Sequence, residues 1–322
     1  MKNVILIILS IIVILYIIDR KPVKTLAMKN ELMNNLTPKN YLELFTENIL
    51  NYVKEINPLK TDYVWTYIEI YRPSKNKINL YEKNTVIPYF IECIKKMNES
   101  IIDLVILTPL NIRFYLPDFD LNMSPLSSIP LKKRVDILYS KIIKTYGGLC
   151  ISPGTIVYNI QPILNKTSSY DLVTVGSSDT IMNNYDNRLY PNNYIIGGKK
   201  NTEIMNEYSI KLYQTTLENR NVKHLDTTTI LANCIDLFKL NNDNHYHFNI
   251  DNDGSYDTNL KKLTLEDYLG TTKINFKNPE KLYLVSFPYD KLSLTLDYKW
   301  FLYMKKDDFD KSNLEIKRLL NT

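Results

Sequence analysis

Alanine is almost missing from this chain: only Ala27 and Ala232 occur in 322 residues. Asn, Ile, Lys and Tyr dominate instead, and all four have AT-rich codons, so the bias records genome composition rather than function. An excess of Asn fills polar patterns by chance. The Asn-x-Ser/Thr triplets at Asn98, Asn122 and Asn165 therefore do not establish a secretory route. Cysteine is scarce as well. Cys93, Cys150 and Cys234 are odd in number and far apart, which excludes a disulfide framework and any Cys-x-x-Cys zinc spacing. They read as buried thiols. With three histidines and no Gly-x-Ser-x-Gly elbow, a Ser–His–Asp hydrolase has no footing. Basic clusters are lacking too: the net charge is +5, and the 40 Lys and Arg are scattered, with no stripe or module for nucleic acid.

What remains is ample for a core. Hydrophobic residues make up 44% of the chain, including 25 Tyr and 10 Phe. Val4 to Ile18 is uncharged and aliphatic except for Ser10 and Tyr16, between Lys2 and the Asp19-Arg20-Lys21 cluster. A membrane span needs about 17–25 apolar residues, and a signal peptide has an h-region of about 7–15 followed by small residues. No Ala-x-Ala-like site follows here. Residues 1–19 are thus expected to be an uncleaved signal anchor, with a cleaved signal or a buried helix as alternatives. Residues 20–40, polar and carrying Pro22 and Pro38, read as a stalk, and 41–322 as one domain.

The periodicity of that domain alternates. Leu42, Phe45, Ile49, Val53 and Ile56 predict a helix over 40–56, with Thr37-Pro38 as its cap and first turn. The aromatic and β-branched run 63–71 predicts a strand. Pro88 opens a helix through Met97, and 103–107 reads as a buried strand. A helix over 130–145 closes at Gly147-Gly148 and passes into the strand 149–151. Further strands are expected at 171–175 and 194–196, and a helix over 201–218. The fold class is α/β, a Rossmann-like mixed sheet with helices on its faces. Ligands of open α/β sheets bind beyond the carboxyl ends of the strands, which places the chemistry at residues 152–154.

The stretch carrying that expectation runs from Lys132-Lys133-Arg134-Val135-Asp136 through Tyr139 to Tyr146-Gly147-Gly148-Leu149-Cys150-Ile151-Ser152-Pro153-Gly154. It resembles the core of the capsular polysaccharide synthesis family, DXD-type sugar transferases of GT-A-like fold. Other elements fall in the same order: Val64-Trp65-Thr66-Tyr67; Pro88 to Met97 with Cys93; Asn111 with Tyr115-Leu116-Pro117; Asn193 to Lys199; and Lys299-Trp300-Phe301. In the third of these, Pro117 comes one residue sooner than in the family. The resemblance covers 62–215 well and the rest loosely. It implies a membrane-anchored enzyme that moves a sugar from a nucleoside diphosphate sugar to a glycan or protein acceptor. It also implies that Trp65 stacks on the base and Asp136 binds the ribose. Gly147 and Gly148 would shape the turn beneath the diphosphate, and Ser152 and Gly154 would occupy the metal-ligand position.

The departure from the family is as informative as the match. Its metal-binding Asp-x-Asp is replaced by Ser152-Pro153-Gly154, and its helical Arg, three residues after the Asp, by Tyr139. A hydroxyl, a proline ring and a hydrogen cannot neutralise a divalent cation, so Mn²⁺ or Mg²⁺ as a Lewis acid loses its ligands. Three routes stay open: phosphates held by Arg134 or Lys299, a metal held by Asp179 or Asp226, or a non-catalytic binding protein of the same fold. Sidedness is open as well. The charges of Arg20, Lys21 and Lys24 favour a cytoplasmic domain, whereas the resemblance implies a lumenal one. Finally, Asn249-x-Asp251-x-Asp253-Gly254 copies the start of an EF-hand loop, but Leu260 stands at the twelfth position. With His245 and His247 just before it, the segment reads as a polar surface loop rather than a metal site.

Overall fold

The computed structural model describes residues 53–68, 88–101, 103–109, 111–120, 126, 129, 131–176, 191–219, 227–238, 243–249, 252–288, 292, 296–302 and 304–322. The proposed anchor, the stalk and most of the helix expected over 40–56 lie outside these residues. Residues 53–56 are irregular. Among the described residues no helix is long and apolar enough to cross a membrane.

Six strands form the main sheet: β1 (Val64–Tyr67), β2 (Leu104–Leu107), β3 (Gly148–Ile151), β5 (Leu172–Val175), β6 (Asn192–Gly198) and β7 (His245–Phe248). Their spatial order is β2-β1-β3-β6-β5-β7. The pairs β1–β2, β1–β3 and β5–β7 are parallel, and β6 runs antiparallel to both its neighbours. Five strands therefore point one way and a single strand is reversed. A two-stranded antiparallel ribbon, β4 (Thr155–Val157) with β8 (Leu284–Ser286), stands beside the sheet. Residues 56–322 cluster as one compact unit.

Helices cover both faces. They are α1 (Pro88–Ser100), α2 (Ile112–Tyr115), α3 (Leu131–Tyr146), α4 (Gln161–Thr167), α5 (Glu203–Glu218), α6 (Thr227–Leu237), α7 (Leu265–Leu269), α8 (Lys299–Leu302), α9 (Lys306–Lys311) and α10 (Glu315–Leu320). Register shows which face each side chain takes, since aligned residues project to the same side. One row runs Val105, Trp65, Cys150, Ile196, Thr174, His247 across six strands. The α3 helix lies on that face, where the Cys150 thiol donates to the Tyr139 carbonyl at 3.8 Å. The other face takes α4, whose Thr167 side chain closes on the Cα of Gly197.

The expected alternation of strands and helices from 63 to 218 is present, each element starting or ending within a few residues of the periodicity. The α3 helix is long because Val135, Leu138 and Ile142 bury one apolar stripe. It stops because Gly147 adopts φ +74 and returns its N–H to the Ile143 carbonyl at 2.8 Å.

Gly148 then starts β3 at φ +90, where a Cβ would stand 2.3 Å from the Tyr63 carbonyl oxygen. No L side chain fits there without moving the central strand. Gly148→Ala is expected to destabilise the fold by about 3 kcal/mol or more, measured as a fall of several degrees in Tm. An unchanged Tm would mean that the strand contact is soft.

Candidate functional site at the carboxyl edge of the sheet

The sheet separates the six residues singled out in the sequence. Trp65, Gly147 and Gly148 belong to its amino-terminal half. Trp65 is 0% exposed, and its ring packs against Tyr63, Tyr115 and Tyr146 with centroids 5.3–5.7 Å apart. Its Nε1 donates to the Gly147 carbonyl at 3.0 Å. Both ring faces are taken up by the core, so the tryptophan pins the helix-to-strand turn and offers no face to a base. Gly147 and Gly148 stand at the start of β3, and at roughly 3.3 Å per residue Ser152 is over 10 Å further on. The two glycines thus shape the fold, not a ligand turn at 152–154.

Asp136, Ser152 and Gly154 do lie toward the carboxyl edge. Asp136 is buried within the protein. Lys132 Nζ donates to its Oδ1 at 2.5 Å, and Thr227 Oγ1, at the start of α6, donates to its Oδ2 at 2.9 Å. The Lys132 ammonium also sits 5.1 Å from the centroid of Tyr194. Asp136 thereby ties α3 to α6 beside the first residues of β6. Arg134 is half-buried on the same helix, Lys299 opens α8, and Asp179 and Asp226 lie outside the described residues.

Tyr139 organises this edge. In the β1–β3 register, Val64 aligns with Leu149 and Trp65 with Cys150. The next parallel ladder bond would run from the Tyr67 N–H to the Ile151 carbonyl. The Tyr139 hydroxyl stands between those two groups. It accepts from Tyr67 N at 2.9 Å and donates to Ile151 O at 3.0 Å. Two bonds in series replace one, so β1 and β3 part at their carboxyl ends.

Directly beyond this parting comes the Ser152-Pro153-Gly154 turn, held from three sides. Ser152 N donates to Tyr194 O at 2.9 Å and Thr155 N donates to Ser152 O at 3.1 Å. The hydroxyl of Tyr89, itself wholly buried, donates to Gly154 O at 2.6 Å. Tyr89 belongs to an aromatic cluster with Phe287, Phe301 and Phe309. That cluster is the floor of the turn. A divalent cation is not served here: the turn supplies no carboxylate, and no group of three His, Cys, Asp or Glu able to hold a metal occurs among the described residues.

The end of the segment read as a polar surface loop is instead interior. Asp253 is 0% exposed, and Gly254 and Ser255 are also buried. The Asp253 carboxylate accepts from Ser255 N at 3.0 Å and Ser255 Oγ at 2.6 Å, and lies against Gly176 at the end of β5. Burial pushes its pKa up to about 6, against the pull of the Ser255 bonds and Lys262. Periodicity does not reveal a carboxylate that folds back on its own loop. The positive φ of Gly176 and Gly254 is the local feature that permits it.

His245 and His247 form the edge strand β7 rather than a loop. His245 Nε2 and His247 Nδ1 both meet the Thr174 hydroxyl, at 2.8 and 2.9 Å. That hydroxyl has one proton, so it donates to one ring and accepts from the other. A cavity of about 210 Å³ lies apart from this edge, between α1 and the C-terminal helices, lined by Glu92, Lys95, Lys96, Glu99, Phe309 and Lys317 among others. It shares Phe309 with the aromatic cluster beneath the turn.

No protein-family model matches the chain, and no curated protein matches it in sequence. Among solved structures it is similar to the galactosyltransferase LgtC, whose crystal structure holds donor and acceptor sugar analogues. Identity is 9%, the match covers 80% of this chain and 95% of that one, and the TM-score is 0.40. A likeness of that size carries no argument about function.

The histidine pair sets a pH dependence. Burial lowers both histidines to about 4, His247 adding to the effect on His245. The unfolded chain takes up these protons near pH 6.5, the folded one only near 4, so stability falls as pH drops through that window. Asp253, raised to about 6, acts in the opposite sense over pH 6 to 3.8, but as one group against two. Tm is expected to fall between pH 7 and 4.5, and His247→Gln to flatten the fall. A flat Tm profile in the parent protein would contradict this.

Proposed function

We propose that the chain is a membrane-anchored, GT-A-like glycosyltransferase whose donor, a nucleoside diphosphate sugar, binds at the carboxyl edge beside Ser152-Pro153-Gly154. One observation carries the reading. The Tyr139 hydroxyl parts β1 from β3 where the chain leaves the parallel strands, next to the reversed strand β6. Crevices for nucleotides form at such places in open α/β sheets. The ordered resemblance of residues 62–215 to the sugar transferases supports the same assignment. The acceptor is a glycan or protein, and the residues Val4 to Ile18 are the anchor.

Of the six sequence candidates, Ser152 and Gly154 are retained for the donor. Asp136 is retained for the ribose, on the condition that Lys132 or Thr227 yields its place. Trp65, Gly147 and Gly148 are assigned to the scaffold. No step is routed through a metal, since the turn lacks the ligands for one.

A second reading, a binding protein of this fold without transfer activity, is favoured by the missing carboxylates at the turn. The two separate in one experiment. The full chain is titrated with UDP-, GDP- and CMP-sugars, with and without Mn²⁺, while Tm and sugar release are followed. A donor that raises Tm and is turned over supports the transferase, and one that raises Tm without turnover supports the binder. No response to any donor sinks both. The anchor is tested by extracting membranes with alkaline carbonate: the chain is expected to stay in the pellet, and its release into the supernatant would refute the anchor.

A further inference from the structure

Buried hydroxyls are rarely left without a partner. Among the described residues, the hydroxyls of Thr66, Ser152, Thr155, Thr216 and Ser286 have none. Three of these five fall together. Ser152 and Thr155 close the turn through their backbone bond, and Ser286 on β8 is the cross-strand partner of Thr155 on β4. Directly opposed residues hold their Cβ atoms about 4.5–5.5 Å apart, close enough for two hydroxyls to share one oxygen. The three residues are 4%, 0% and 7% exposed. The backbone around them is already paired, so the hydroxyls are not needed to close the turn.

The charge around this cluster limits what it can take. Hydroxyls both donate and accept but carry no net charge. The neighbouring chain is the 252–255 loop, where Ser286 N donates to Asp253 O and the buried Asp253 carboxylate faces Gly176. A diphosphate brought here would meet neutral dipoles, and burying uncompensated charge is costly. A neutral group bearing several hydroxyls meets partners of the right kind.

We propose that Ser152, Thr155 and Ser286 form a subsite for the hydroxyls of a sugar ring, and not for the phosphates of a nucleotide. The subsite rests on the glycosyltransferase reading for its place at the carboxyl edge and adds Thr155 and Ser286, which no sequence motif singled out. It also turns the family's metal-ligand position into a sugar contact.

The test uses the full chain with three free sugars, galactose, glucose and N-acetylglucosamine, and with inorganic pyrophosphate. At roughly ten times Kd, at least one sugar is expected to raise Tm by about 2–4 °C, and pyrophosphate to leave it unchanged. Ser286→Ala and Thr155→Val each remove an unpartnered group, so both variants are expected to fold with an unchanged or higher Tm. Each is expected to weaken the sugar by about tenfold. Protection by pyrophosphate alone, sugar protection that survives both substitutions, or no response to any sugar overturns the subsite. Its fate is separable from that of the transferase. A nucleoside diphosphate sugar that stabilises the parent and Ser286→Ala equally keeps the enzyme and removes the subsite. Sugar protection lost in Ser286→Ala, with no response to any nucleotide sugar, does the reverse.

Discussion

One hydroxyl inserted into a β-ladder sets the character of the carboxyl edge. Where β1 and β3 would exchange their last bond, Tyr139 takes the N–H of Tyr67 and gives its proton to the carbonyl of Ile151. Both backbone groups are buried, and a direct bond or a substitute is compulsory for such groups. The tyrosine provides the substitute and keeps the strands apart at no cost in unpaired polar atoms. An arginine at the same position, as in the family that the sequence resembles, has donors only. It could serve the carbonyl but not the N–H. Tyr139 thus gives this edge a bridge that an arginine could not form.

The turn beyond this bridge shows a consistent change of chemistry. Carboxylates for a metal are missing from Ser152-Pro153-Gly154, while hydroxyls accumulate on it and on the strand opposite. Its underside rests on Tyr89 and the phenylalanines at 287, 301 and 309, drawn from the first helix and from the last forty residues of the chain. The C-terminal third therefore supports the edge rather than forming a separate body. Asp253 has the same kind of role one strand away, its carboxylate locking a loop against the end of β5.

Much of the scaffold was legible because its signals are local. A period-2 or period-3.6 run buries one face whatever its neighbours, and a Gly-Gly pair after a helix has few uses other than a stop. That is why β1, α1, β2, α3, β3 and α5 could be read directly. The elements β4, α4 and β8 were not read from the sequence. The loop at 249–255 was misjudged. Its Asp and Asn are polar by type, and only the positive φ of Gly254 and the open space over Gly176 let the carboxylate turn inward.

By itself the sequence determined the alternating α/β order and the absence of carboxylates after the Gly-Gly turn. These follow from periodicity and residue type, which need no partner to be expressed. Tertiary structure alone decided what each candidate touches. It put Trp65 and the two glycines in the core, bound Asp136 to Lys132 and Thr227, and brought Ser286 opposite Thr155 across more than a hundred residues. Side-chain chemistry is set by burial and by the nearest polar atom, and both are properties of the packed chain.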